Sequence, residues 1–175
     1  MKIYLIGFMG SGKSTVGKRL AAHCGDAFVD TDKLFETKHN CSIERYFKQF
    51  GEDLFRKEEA SLLRETASLE NTVIAAGGGT PCFCDNMDWI SSHGICIYLE
   101  MPPKALYNRL INSKLERPLL RTHCNVSLLE KIQNLLSQRE QYYKKANITI
   151  SGLDVEIEKL STQIYQYVNE KCIEK

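Results

Sequence analysis

Gly7-Phe8-Met9-Gly10-Ser11-Gly12-Lys13-Ser14 is the stretch that decides the fold. It satisfies G-x-x-x-x-G-K-[ST], follows the apolar run 3–6, and opens a segment in which Val16, Leu20 and Ala21 keep helical spacing. Strand, glycine loop and helix in that order make a phosphate cradle. The glycines let successive backbone N–H groups turn inward, and the helix N-terminus adds positive potential. Lys13 is then expected to reach the β- and γ-phosphates of a nucleoside triphosphate. Ser14 is expected to place its hydroxyl on the Mg²⁺ that bridges them. With Thr15 next, residues 10–15 (Gly10, Ser11, Gly12, Lys13, Ser14 and Thr15) form the expected nucleotide-binding segment.

Outward from this loop, short β-branched or apolar runs recur at 3–6, 27–29, 73–76, 95–99 and 148–150, separated by segments with helical spacing. That alternation predicts an α/β fold of three layers, α/β/α, around a five-stranded parallel sheet. No repeat, low-complexity tract or linker interrupts it, so residues 1–175 are expected to form one domain. The segment 112–125 breaks the rhythm: it is polar and carries Lys114, Arg117 and Arg121. In a nucleotide enzyme such a basic stretch predicts a mobile lid, with a plain solvated loop as the alternative.

The 23 Lys and Arg residues nearly balance the 22 Asp and Glu, leaving a formal charge of +1 and no global field for nucleic acid or an anionic membrane. Any anion must be caught locally. The amino terminus passes from one lysine and a short apolar run directly into glycines, without a secretory pattern, and no stretch approaches the roughly 20 apolar residues that span a bilayer. A cytoplasmic location is the expectation. The seven cysteines are scattered, and the closest pair, Cys82 and Cys84, has C-x-C spacing where zinc sites use C-x2-C; reduced thiols are expected. Neither N-K-x-D nor D-x-x-G occurs, which excludes a GTPase switch.

Four further features suit an acidic acceptor. Asp30-Thr31-Asp32 puts two carboxylates at the end of the 27–29 strand, one for a metal and one for a substrate; alternatively Asp30 or Thr31 merely caps the next helix. In the helix after Gly51, Arg56, Ala60, Leu63 and Ala67 share a stripe, with Phe55, Glu59 and Leu62 beside it. A desolvated Arg56 needs an anion, either Glu59 or a substrate carboxylate. Arg139 interrupts the apolar series Leu128, Ile132, Leu135, Tyr142, and is either a second clamp or a snorkelling arginine. Gly77-Gly78-Gly79 ends a buried strand where backbone amides could approach a ligand.

Taken together, G-F-M-G-S-G-K-S-T at 7–15, D-T-D at 30–32, G-E-x-x-F-R-x-x-E at 51–59, G-G-G at 77–79, R-P-L-L at 117–120 and R-x-x-x-Y at 139–143 resemble the shikimate kinase family over nearly the whole chain. The resemblance implies transfer of the ATP γ-phosphate to shikimate, giving shikimate 3-phosphate and ADP on the route to chorismate and the aromatic amino acids, by a monomer. It implies that Asp32, Arg56, Gly78 and Arg139 hold shikimate in a region spanning about 32–60 and beyond. It also implies that Ser14 and, through water, Asp30 hold Mg²⁺, and that Arg117 meets the phosphates. Lys13, Asp32 and Arg117 become the expected catalytic residues, and Ile43, Phe47 and Phe55 the apolar wall. The chain departs from the family in having Glu140-Gln141-Tyr142 where a proline is common. It also has Leu110 at the usual place of the adenine-stacking arginine, with Arg109 the nearest substitute. Two other readings stay open: a related kinase for another small hydroxy acid or a nucleotide, and an ATP-binding module without catalysis.

Overall fold

The computed structural model describes residues 1–112 and 127–173. The expected lid, apart from Asn112, and Arg117 with it lie outside the described residues.

Five strands, β1 (Lys2–Ile6), β2 (Ala27–Asp30), β3 (Thr72–Ala75), β4 (Ile95–Glu100) and β5 (Ile148–Ser151), pair in the order β2-β3-β1-β4-β5, every pair parallel. Seven α-helices occur among the described residues: α1 (Lys13–Cys24), α2 (Thr31–His39), α3 (Ile43–Glu65), α4 (Asn86–His93), α5 (Pro103–Ile111), α6 (Leu128–Tyr143) and α7 (Ile157–Ile173). Side chains alternate across a strand, so each central strand feeds two cores. Ile3 and Leu5 of β1 pack with Val16 and Leu20 of α1 and with Leu160 and Ile164 of α7. Tyr4 and Ile6, on the other face, pack with Leu63 of α3, Met87 and Ile90 of α4 and Tyr143 of α6. This is the three-layer α/β/α architecture that the strand-helix alternation predicts. It also explains why the central strands read as continuous apolar runs.

The strand order places the functional segments side by side. Asp30 at the end of β2 is in register with Ala75 of β3, which is in register with Leu5 of β1. The phosphate loop, the Asp30–Asp32 corner and the glycine triad therefore emerge together at the carboxyl edge of the sheet, where parallel α/β sheets bind ligands.

Two helical expectations need correction. Ala67 does not continue the α3 stripe: the helix ends at Glu65 and Ala67 lies exposed in a 3₁₀ turn, Thr66–Ser68. On α6 the fully buried side chains are Ile132, Arg139 and Tyr143, while Leu135 and Tyr142 are only half-buried. The inward face is therefore rotated toward Tyr143, and Arg139 stays on it. Within α3, Gly51 has φ 80° and ψ 173°, a conformation open essentially to glycine alone, and kinks the helix ahead of Glu52 and Arg56. Among the described residues, no helix is long and apolar enough to cross a membrane.

Candidate active site

A cavity of about 540 Å³ opens at the carboxyl edge of the sheet, lined by residues 9–16, Asp30, Asp32, Gly78, Arg109 and the loop after β5 at 152–155. The six expected nucleotide-binding residues line one side of it and both aspartates line another. Among the described residues the buried Ser11 hydroxyl, in the loop that lines this cavity, has no hydrogen-bond partner. Lys13 donates from Nζ to the carbonyls of Gly7 and Phe8 at 2.9 and 3.0 Å, so its ammonium is already held over the loop.

Asp30 caps the next helix, one of the two readings of its sequence position, and also pairs with Ser14. One carboxylate oxygen, Oδ1, accepts from the backbone N–H groups of Asp32 (3.1 Å) and Lys33 (3.4 Å), capping α2. The other, Oδ2, accepts from the Ser14 hydroxyl at 2.6 Å. That pair is a hard-oxygen set suited to Mg²⁺. Among the described residues no group of three or more His, Cys, Asp or Glu side chains gathers as a metal site. Thr31 does not idle between the aspartates. Its Oγ1 accepts from the buried N–H of Gly77 at 3.1 Å and fastens this corner to the glycine triad.

The triad is glycine because its neighbours come close. A Cβ on Gly77 would stand 2.7 Å from Asp32 Oδ1 and 2.8 Å from Glu59 Oε1, and one on Gly79 would stand 2.8 Å from both Nη atoms of Arg56. Arg56, itself buried, gives Nε and Nη2 to Glu52 Oε1 and Nη1 to Glu59 Oε2. The internal ion pair left open by the sequence is thus present, and it is doubled. Glu59 is fixed in turn by the Thr80 hydroxyl at 2.6 Å.

Arg139 differs. It is 5% exposed and donates to the Gly78 backbone carbonyl at 3.3 Å, beside the Tyr143 hydroxyl and with the Phe8 ring 5.5 Å away. Snorkelling is thereby excluded. The same Gly78 carbonyl accepts from the Tyr143 hydroxyl, whose pKa burial pushes far above its ordinary value while the Arg139 cation opposes the shift. Both guanidiniums also act on Cys82: burial pushes this thiol up to about 11, and Arg139 and then Arg56 pull it down. Neither arginine lines the large cavity; they stand behind Gly78 and Gly79. Ile43, Phe47 and Phe55 join one cluster with Phe35, Tyr46 and Leu62 beside Arg56. Arg109 donates to the carbonyls of Ser11 (3.0 Å), Gly10 (3.4 Å) and Gly152 (3.1 Å), and Leu110 packs against Gly10.

The sequence matches the shikimate kinase family over residues 9–169. The chain belongs to that family. It is 39% identical over 145 residues to the shikimate kinase of Phocaeicola vulgatus, covering 83% of each chain. To that of Sulfurihydrogenibium sp. it is 40% identical over 150 residues, covering 86% of this chain and 87% of the other. Among solved structures, a shikimate kinase from Acinetobacter baumannii in complex with shikimate superposes with a TM-score of 0.86 at 33% identity, covering 97% of this chain and 93% of that one. A gluconokinase from Sinorhizobium meliloti, at 16% identity and a TM-score of 0.57, shares the fold.

Within this shikimate kinase scaffold, the sequence pattern includes Glu52 in the 51–59 motif without a role, and assigns none to Thr80, Phe83 or the loop 152–155. Glu52 carried a signal, since it precedes Arg56 by four residues on a helix. The others are brought in by turns without periodicity, and only the fold reveals them.

Proposed function

We propose that this chain transfers the γ-phosphate of ATP to the 3-hydroxyl of shikimate. The observation that carries the reading is Arg139, a buried cation that donates to a peptide carbonyl, beside the glycine that borders the phosphate cavity. Among the described residues no carboxylate pairs with it; a buried charge left so is costly, and an acid substrate's carboxylate removes that cost.

Arg139 and Arg56 hold the carboxylate, while Gly78 and Asp32 hold the ring hydroxyls. Asp32 accepts a hydrogen bond from the acceptor hydroxyl and takes its proton as the new P–O bond forms. Lys13 exchanges its loop carbonyls for phosphoryl oxygens, and the backbone N–H groups of residues 10–15 cradle the rest. Ser14 and, through water, Asp30 would hold Mg²⁺, which would supply charge neutralisation on the phosphoryl oxygens. Arg117, which lies outside the described residues, is the further cation assigned to the phosphates. Residues 1–175 act as one domain, in the cytoplasm and as a monomer.

A coupled assay of ADP release with shikimate, gluconate and AMP as alternative acceptors tests this. Turnover is expected with shikimate and to be at least about 100-fold poorer in kcat/KM with the others. Equal rates with gluconate or AMP would overturn the acceptor assignment.

A further inference from the structure

Arg56 is held by more than its carboxylates. Glu52 and Glu59 engage three of the N–H donors of the guanidinium, and no other acceptor among the described residues takes the rest. Aromatic rings also stand against the group. The Phe83 ring centroid stands 4.2 Å from the Arg56 Cζ, closer than Phe55 at 5.0 Å or Phe47 at 5.9 Å. Phe55 and Phe47 approach from α3 itself, within the aromatic cluster. Phe83 approaches from the turn after the glycine triad, is 37% exposed, and belongs to none of the apolar cores.

That turn is built with care. Cys82 N–H donates to the Gly79 carbonyl at 2.9 Å and Asn86 N–H to the Phe83 carbonyl at 3.0 Å, closing the chain on either side of the ring. Cys84 and Asp85 both adopt left-handed backbone, φ 52° and 54°, which non-glycine residues rarely do once and seldom twice in succession. Arg64 of α3 donates to the Cys84 carbonyl (2.9 Å) and to Asn86 Oδ1 (2.7 Å), so the turn is tied to the helix that carries Arg56. The turn that carries Phe83 thus holds two left-handed residues and is tied to α3 by Arg64.

We propose that Phe83 is a positioning residue for the acid substrate, stacking on Arg56 so that the remaining N–H donors stay aimed at the substrate carboxylate. The inference rests on the assignment of Arg56 to that carboxylate, and it adds a residue from outside the acid pocket's own helix. A guanidinium gains from an aromatic face both electrostatically and by losing rotamer freedom before the ligand arrives.

Phe83→Ala and Phe83→Leu are expected to raise the KM for shikimate about tenfold while kcat and the KM for ATP stay within about twofold. Phe83→Tyr keeps the π face and is expected to restore shikimate KM to within about threefold of the parent. A leucine variant as good as the parent, or a tyrosine variant as poor as alanine, would reject the stacking role. An equal rise in ATP KM would show that the residue acts through the fold. Arg56→Lys keeps the charge and loses the planar fork. If it leaves shikimate KM unchanged, the carboxylate assignment itself fails; if it raises KM while the alanine and leucine variants do not, only the role of Phe83 fails.

Discussion

Asp30 and Asp32 sit two residues apart, yet the structure gives their carboxylates different work. Asp30 spends one oxygen capping α2 and the other on the Ser14 hydroxyl, whereas Asp32, in the first turn of that helix, faces the cavity beside Gly77. Asparagine at either position keeps the size but removes the charge and the second acceptor oxygen. Asp32→Asn is expected to lower kcat by roughly 100-fold or more, with ATP affinity nearly unchanged, as loss of a general base does. Asp30→Asn keeps an oxygen for the cap, so Tm should hold, but it sets an amide against Ser14. Its half-saturating Mg²⁺ concentration is expected to rise by about tenfold or more. Steady-state kinetics of both variants across a Mg²⁺ titration separates the roles. If excess Mg²⁺ rescues Asp32→Asn while Asp30→Asn loses shikimate affinity, the two assignments are reversed.

At the scale of elements, α3 shows what a sequence pattern carries and where it stops. The stripe of Arg56, Ala60 and Leu63 is buried as its spacing requires, because period 3.6 survives any tertiary detail. The kink at Gly51 is not periodic and could not be read that way; it comes from one residue at φ 80° and ψ 173°. A Cβ there meets nothing within 4 Å, so a substitution adds backbone strain without steric conflict. Gly51→Ala is therefore expected to destabilise the protein by about 1–3 kcal/mol. Because Glu52 and Arg56 follow the kink directly, shikimate KM should rise more than ATP KM. Urea unfolding together with the two KM values decides it. An unchanged midpoint would mean the helix passes through residue 51 without needing glycine.

Across the whole molecule, the phosphate loop, the five strands and the buried Arg56 and Arg139 were legible because each is local or periodic. The convergence of Gly78, Tyr143 and Arg139, and the Arg109 bridge from the phosphate loop to Gly152, depend on contacts between segments dozens of residues apart, which no window of sequence contains. Arg139 then makes a test at this scale. If it is kept for the substrate, the ligand-free fold bears the cost of a buried cation that has no carboxylate partner among the described residues, and an uncharged side chain of similar length should relieve that cost. Arg139→Met is accordingly expected to leave Tm without ligand equal or higher. A ligand at 100 times its Kd adds about 2.7 kcal/mol to stability, or about 5–10 °C for a chain of this size. The parent should show such shifts with shikimate and with ATP. The variant should keep the ATP shift and retain about 3 °C or less with shikimate, since losing a buried charge contact weakens binding by about 2–5 kcal/mol. Thermal unfolding of both proteins in four conditions (no ligand, each alone, and both) measures this directly. A variant with clearly lower Tm and an intact shikimate shift would make Arg139 a part of the fold's own framework and remove it from the acid site.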